Sequence, residues 1–411
     1  AARGGAEQTK VKFRTALKAL GVMKYDAMAL SPDDLKVGVD QASGEFLNAP
    51  EDGPKVLAAN VVVLGLESKI QPSRVVKAGP VNVGVTAVVD PEAIKALKDP
   101  SIDLLEVKPI DETLPGVLDA LRKDSTTQVL LVQGPPALAR TLAEKYPDFD
   151  VVVRTSNGPD PADQPEEVNG GQTLIVNVGQ KGKYVGVVGI FSGDGPTYRY
   201  QRVTLGNQFN GSAAPMKAVM EEEFRESLKR ERIVETFPKH GFPGGPEGAR
   251  YVGAETCKTC HPNTFARWAA TKHAQGFESL LHDPKPNTIH DAECVTCHTT
   301  GFEYHSGWTS PEATPYLKGN QCENCHGPAS RHVEAPDDPA FRTALHLTAE
   351  LADRDRLCFR CHDEDNSPDF DFTKYWGQVI HKDLDTYDDP KVHQGLNPQA
   401  KAADPGKDAP P

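Results

Sequence analysis

Between residues 257 and 362 one pentapeptide occurs four times: Cys257-Lys-Thr-Cys260-His261, Cys294-Val-Thr-Cys297-His298, Cys322-Glu-Asn-Cys325-His326 and Cys358-Phe-Arg-Cys361-His362. Each copy is Cys-x-x-Cys-His, the attachment signature of c-type haem. The two thiols are spaced to form thioethers with the two vinyl groups of one porphyrin. The adjacent histidine then falls beneath the iron as proximal ligand. The four copies use all 8 cysteines of the chain, so none is left for a disulfide, a zinc site or a catalytic thiol. Zinc ribbons also pair Cys-x-x-Cys motifs, but zinc does not require a histidine directly after each second cysteine, and here every motif has one. A thioredoxin-like centre uses a single Cys-x-x-Cys beside a helix, and four copies serve nothing in that chemistry. The expected cofactors are four covalently attached haem c groups, with His261, His298, His326 and His362 as proximal iron ligands.

Outward from this stretch, composition divides the chain. All 13 histidines lie from His240 onward, and no cysteine precedes Cys257. A chain of 411 residues can hold two domains with separate cores. The expected layout is an α/β domain over 1–235, a Pro/Gly linker over 236–250, a haem domain over 251–382 and an acidic, Pro-rich tail over 383–411, which should be disordered in a free monomer. The net charge of −13 argues against nucleic acid or an anionic membrane as partner. It favours redox proteins with basic docking patches, met at a salt-sensitive rate. No apolar run approaches a membrane span. Covalent haem c is assembled outside the cytoplasm, so a periplasmic or extracellular location is expected, with any export signal already removed before Ala1.

In the N-terminal half, apolar residues from Gln8 to Val22 recur at helical spacing. Short β-branched runs at Val56–Leu66, Val81–Val89, Gln128–Val132 and Phe149–Val153 read as buried strands, with a shorter one at Tyr25–Leu30. Helical patterns at Pro91–Leu97, Asp111–Arg122 and Pro136–Tyr146 lie between them, which implies an α/β domain. Thr173–Val178, Lys183–Phe191 and Tyr198–Leu205 read as antiparallel hairpins, and Met216–Arg232 as one charged helix. Phe237–Arg250 is dense in Pro and Gly.

Roughly residues 8 to 205 resemble the calcineurin-like metallophosphoesterases of the 5′-nucleotidase branch. The likeness rests on Ala-Leu-Lys-Ala-Leu-Gly followed by Tyr25-Asp26-Ala27, on Leu57-Ala-Ala-Asn60 and on Gly182-Lys-Tyr-Val-Gly186. It implies a layered-sheet α/β fold. That family clamps a phosphoryl group with two metals held by Asp, His and Asn. Where it reads Gly-Asn-His-Glu, this chain has Ser31-Pro32-Asp33-Asp34. Where it has a lone metal-binding His, this chain has Gln133, and where it reads Gly-His-x-His, this chain has Thr155-Ser156-Asn157-Gly158. Its first two motifs would lie upstream of residue 7. The expectation is a degenerate domain without phosphoesterase activity, kept as a docking or assembly module.

The C-terminal part resembles the tetrahaem cytochrome c-554 family, whose members relay electrons in nitrogen-compound oxidation. The matching residues are Tyr251-Val-Gly-Ala-Glu-Thr-Cys257, Trp268 with Lys272-His273-Ala274, Glu293-Cys294, Cys297-His298 with Thr300-Gly301-Phe302, Cys322 to Pro328 with His332, and Ser367 to Phe372 with Trp376 and His381. The resemblance implies a mainly helical, loop-rich domain, with His273, on a helix beginning near Pro262, His332 and His381 as distal iron ligands. The fourth distal position stays open between His290, His305, His346 and a vacancy. A second histidine makes a haem a low-spin carrier, whereas an open position lets a small molecule bind. Two functions follow. One is a secreted carrier of single electrons, with haem-exposing ends that could abut further copies or other cytochromes. The alternative is a haem enzyme that binds or reduces a small nitrogen or oxygen species at one five-coordinate haem.

Overall fold

The computed structural model describes residues 3–51, 53–155, 160–192, 197–209, 214–381 and 384–385. The expected tail, apart from 384 and 385, lies outside them with His393, as do Ser156, Asn157 and Gly158 of the replaced metal-binding motif. The chain forms two compact units. One is Thr9–Phe224; the other joins the residues up to Gln8 to those from Arg225 onward. No helix among the described residues is long and apolar enough to cross a membrane.

The strands of the first unit are β1 (Ala27–Ala29), β2 (Lys55–Leu57), β3 (Val61–Val63), β4 (Ile70–Gln71), β5 (Ser73–Ala78), β6 (Val81–Val89), β7 (Leu105–Val107), β8 (Thr127–Gln133), β9 (Val151–Arg154), β10 (Glu166–Val168), β11 (Thr173–Asn177), β12 (Tyr184–Ile190) and β13 (Tyr198–Thr204). Its main sheet has the order β10-β11-β9-β8-β6-β5. The four inner strands run parallel, with Val85 opposite Val129, Val129 opposite Val151 and Leu174 opposite Val151. The two edge strands are antiparallel. Parallel strands are covered on both faces, and β6 is accordingly buried without a break from Val83 to Val89.

The helices of this unit are α1 (Gly5–Val22), whose first residues belong to the other unit, α2 (Val39–Asn48), α3 (Pro91–Lys95), α4 (Ile110–Asp124) and α5 (Pro136–Lys145). In α4, Leu114, Leu118 and Leu121 fall on one face and are buried. Leu114 and Leu118 meet Leu130, Leu142, Phe149 and Ile175 in one core. On the sheet's other side, Val83, Val85 and Ala87 pack with Ala29 and Leu57 of the small sheet β1-β2-β4. Val151, Leu174 and Val176 meet Val188, Tyr198 and Tyr200 of the β12–β13 hairpin. This is the layered α/β fold that strand and helix alternation implied.

Three expectations change. The run Val56–Leu66 is two strands in separate sheets, because the chain breaks at Asn60, whose side chain accepts the Val89 N–H (2.9 Å) and donates to the Val89 carbonyl (2.8 Å). The strand from Thr173 pairs in parallel with β9 rather than in a hairpin with β12, since Leu174, Ile175 and Val176 are all buried and suit an interior strand. The charged helix is α6 (Ala214–Ala218), a π-helical segment Val219–Arg225 and α7 (Glu226–Arg230).

The second unit is loop-rich, with α8 (Ala254–Lys258), α9 (Pro262–Ala269), α10 (Gly276–Leu281), α11 (Ala292–His298), α12 (Cys322–His326), α13 (Ser330–Glu334), α14 (Pro339–Ala344), α15 (Ala349–Arg354) and α16 (Phe372–Val379). A small aromatic core surrounds Trp308, with Phe277 at 5.7 Å and Phe302 at 6.1 Å. The stretch read as a linker is part of this unit. Lys239 Nζ donates to the carbonyls of Phe302 (2.7 Å) and Trp308 (2.6 Å), Phe242 packs edge-on against Tyr304, and the Arg250 N–H donates to Ser330 Oγ (2.9 Å). Pro and Gly here shape a chain that wraps a surface, not a free connector. Gly301 has a φ of +69° and lies so close to Tyr251 that a Cβ would stand 2.6 Å from the ring, which only glycine permits.

Gln8 reaches this unit from the N-terminus. Its buried side chain donates to Asp291 Oδ1 (2.7 Å) and accepts the Ala292 N–H (2.9 Å), while Asp291 caps α11 through the Glu293 N–H (3.0 Å). Two substitutions test these anchors. Asn60→Ala leaves the Val89 amide and carbonyl buried without those partners and is expected to cost about 1–3 kcal/mol in denaturant unfolding. Gln8→Ala is expected to cost a similar ~1–3 kcal/mol and to speed amide hydrogen exchange in α11.

Candidate haem-attachment sites

Each motif forms about one helical turn. In the first, the N–H groups of Cys260 and His261 donate to the Cys257 carbonyl (3.2 and 2.8 Å). The fourth repeats this, with Cys361 and His362 on the Cys358 carbonyl (3.2 and 2.9 Å). Residues at i, i+3 and i+4 share one side of a helix, so both thiols and the histidine of a motif face the same way. Thiols of different motifs also adjoin. The thiols of Cys257 and Cys322 lie near enough to shift each other's ionisation, as do those of Cys297 and Cys361. The first motif therefore lies beside the third, and the second beside the fourth.

The imidazoles come together in pairs. The rings of His261 and His332 are 6.5 Å apart between centroids, those of His273 and His362 are 6.0 Å apart, and those of His326 and His381 are 5.7 Å apart. Metal–imidazole bonds are about 2 Å long, and a ring centre lies roughly 1 Å beyond its nitrogen. Two imidazoles on opposite sides of one metal ion therefore have centroids about 6 Å apart. All three pairs fit that span, and each joins one motif histidine to one of His273, His332 and His381. His273 does not lie on the helix expected for it. The helix α9 stops at Ala269, and His273 is held beyond its end by the Asn320 N–H on its carbonyl (3.1 Å), next to Trp268 Nε1 on the Asn320 carbonyl (2.9 Å).

Hydrogen bonds also select which ring nitrogen is left free. A carbonyl can only accept, so Nδ1 of His298 (2.6 Å to Gly276 O), of His326 (2.7 Å to Leu345 O) and of His381 (3.0 Å to Val379 O) carries the proton. Nε2 is left bare for a metal. Nδ1 of His362 is 3.0 Å from Ser367 Oγ. Burial lowers the pKa of His261, His273, His326, His332 and His362, which favours the neutral ring that binds iron.

His298 belongs to none of the three ring pairs. His290 lies in a 3₁₀ turn just before α11. His305 is tied through its N–H to the His240 carbonyl (3.0 Å), and His346 lies just after α14. Among the described residues, three buried side-chain nitrogens without a partner, Arg225 Nη1, Trp308 Nε1 and His332 Nδ1, all belong to the unit that carries the motifs. Orphaned donors and acceptors of this kind suit a bound polar group.

Two features were not anticipated from sequence. Glu323, inside the third motif, is 2% exposed. Its carboxylate accepts N–H groups from Val252 (3.0 Å to each oxygen), Gly253 (2.8 Å) and Ala329 (2.9 Å). Burial pushes its pKa up to about 7 against the pull of those donors. Near the second and fourth motifs, Arg3 forms an ion pair with Asp363 (2.8 Å) beside the thiols of Cys297 and Cys361.

In the other unit, the residues standing at the phosphoesterase positions have local roles. Asp34 accepts the Ser31 N–H (2.9 Å) and is pushed up to about 6 by burial, and Gln133 ends β8.

Residues 256–327 match the family model described as "Cytochrome c554 and c-prime". Among curated relatives, cytochrome c-554 of Nitrosomonas europaea is 35% identical over 92 residues, which are 20% of this chain and 39% of that protein. The multiheme cytochrome MtrA of Shewanella baltica is 24% identical over 115 residues, which are 25% of this chain and 34% of that protein. The chain thus spans less than half the length of either relative. Among solved structures, the 5′-nucleotidase precursor of Thermus thermophilus aligns with a TM-score of 0.44 at 16% identity, covering 70% of this chain and 61% of its own. Over residues 256–327, this chain carries the sequence of a cytochrome c554-type segment, and the cofactor its cysteines are spaced to hold is covalently bound haem c.

Proposed function

We propose that the chain is a tetrahaem c-type cytochrome that passes single electrons between redox proteins. The observation that carries this reading is the three imidazole pairs at iron-bridging separation. Haem c, when bound, supplies a one-electron iron couple. The chain's own residues do the rest. Cys257 and Cys260, Cys294 and Cys297, Cys322 and Cys325, and Cys358 and Cys361 would hold the four haems, with His261, His298, His326 and His362 as iron ligands. His332, His273 and His381 would complete the first, fourth and third sites and close them to substrates. The adjoining thiols of the first and third motifs, and of the second and fourth, support close-packed haems.

The surroundings follow from chemistry. Haem c attachment outside the cytoplasm supports a periplasmic or extracellular location, and a net charge of −13 supports partners with basic docking patches. The N-terminal domain acts as a non-catalytic docking or assembly module, since it has no histidine. Assembly with other copies or cytochromes through haem-exposing ends belongs to the same reading.

A second reading concerns the second motif alone. Because His298 has no imidazole facing it in the three pairs, its iron is the place where a small nitrogen or oxygen species would bind, with His290, His305 and His346 as the competing internal ligands.

The mass of the holoprotein should exceed that of the chain by four haems. Electron paramagnetic resonance of the oxidised protein should show three bis-imidazole low-spin centres. A fourth low-spin centre, inert to carbon monoxide and nitric oxide after reduction, favours the pure carrier; a high-spin centre that binds either gas favours the second reading. Fewer than three bis-imidazole signals defeats the pairing. Manganese and a chromogenic phosphate ester should give no turnover above buffer, and metal-dependent release would overturn the non-catalytic role of the N-terminal domain.

A further inference from the structure

Directly after its first cysteine the third motif carries Glu323, where the other motifs have Lys258, Val295 and Phe359. Glu323 is 2% exposed, and its carboxylate accepts the N–H groups of Val252 (3.0 Å to each oxygen), Gly253 (2.8 Å) and Ala329 (2.9 Å). Beside it, Gln321 Oε1 accepts the Ala254 N–H (2.6 Å), and Gln321 Nε2 donates to the carbonyls of Tyr316 and Lys318 (2.8 Å each). The three consecutive amides held in this way open α8, the helix of the first motif, and the Gly253 carbonyl lies 3.8 Å from Cys257 Sγ. One buried carboxylate is therefore fixed against two attachment sites. It follows Cys322 in the chain, and only Gly253 stands between it and Cys257. Every partner is a donor, and none could accept from a carboxyl O–H, so the surroundings suit the ionised form.

Charges at the first and fourth motifs are of another kind. Lys258 pairs with Glu255 (3.4 Å), but both side chains are more than half exposed. At the fourth motif Arg3 donates to the Arg360 carbonyl (2.8 Å) and is matched by Asp363 (2.8 Å), while Arg360, Glu364 and Asp365 face solvent. Charge shielded from water acts strongly on a nearby redox centre, and screened charge acts weakly. Reduction adds one electron to one iron, taken from the electrode, and no bond forms or breaks. A fixed carboxylate opposes that added charge and lowers the potential. The first, third and fourth sites would each have two imidazoles, so ligation does not set them apart. We propose that Glu323 is a charge shared by the haems of the first and third motifs, which holds both below the haem of the fourth in reduction potential.

This inference rests on the tetrahaem reading, and the first measurement keeps the two apart. If the full-length holoprotein lacks four haems by mass, it is the tetrahaem reading that has failed. With four in place, spectroelectrochemical titration at pH 8, followed by paramagnetic resonance, resolves the three bis-imidazole centres. In the wild type two of them should be reduced after the third. Glu323→Gln keeps an acceptor oxygen but removes the charge. It should raise the two lower centres by about tenfold in reduction equilibrium, or ~59 mV for a one-electron couple, with their g values unchanged and the third centre in place. A merely structural role would move the g values and leave the potentials. Asp363→Asn, which leaves Arg3 unmatched at the fourth motif, should raise the third centre alone. Shifts at the two lower centres below about twofold, equal shifts in all centres, or an Asp363→Asn response in a centre that Glu323→Gln also moves would overturn the proposal. If Glu323→Gln does not accumulate, the wild-type order still decides it, because a centre marked by Asp363→Asn that is not reduced before the other two overturns it.

Discussion

A metal–imidazole bond has a nearly fixed length, and two imidazoles on one iron must face each other across it. On the tetrahaem reading proposed above, much of the C-terminal unit can be understood as the backbone needed to meet that demand. Its helices run from five to eight residues, too short to be stable alone, and a small aromatic core surrounds Trp308. Order comes instead from capped turns and from histidines drawn together out of distant sequence. His261 meets His332, His273 meets His362, and His326 meets His381. In each case one partner is fixed by its motif, while the other is carried by a local device. These are the helix α13 for His332, the hydrogen bond from Asn320 for His273 and the turn after α16 for His381.

The motifs were legible because their chemistry is local, written in five consecutive residues. His273, His332 and His381, expected as distal ligands only through family resemblance, each stand beside a motif histidine, and nothing in the residues around them announces which one. The helix proposed for His273 fell short because Thr271 and Lys272 lie in a turn that closes on tertiary hydrogen bonds, which no local pattern records. Glu323 escaped notice for a related reason. A glutamate among motif residues reads as a solvated charge until the chain near Val252 is folded over it.

In the N-terminal unit, periodicity identified the buried strands and the amphipathic helix α4 with little ambiguity. Pairing was less visible. The polar edge strand β5, Ser-Arg-Val-Val-Lys-Ala, gave no strand signal because one side of it faces water. The interior strand β11 was misassigned to a hairpin because short Gly-rich connections look alike whether the next strand turns back or leaves the sheet. The stretch 236–250 shows the same limit from the other direction. Proline and glycine mark where a chain bends, but the wrapped state depends on Phe302, Tyr304 and Trp308, far along the sequence.

The long sequence separation within each imidazole pair bears on how such a chain matures. A polypeptide is made and threaded from its N-terminus, so His261 is available well before His332 has emerged. In the interval, His273, His282 and His290 are all nearer neighbours along the backbone. On the tetrahaem reading proposed above, maturation would be a sorting problem, in which a provisional histidine would have to give way as later segments arrive. The final set of partners is reached only when the last helix, with His381 behind it, closes the circuit.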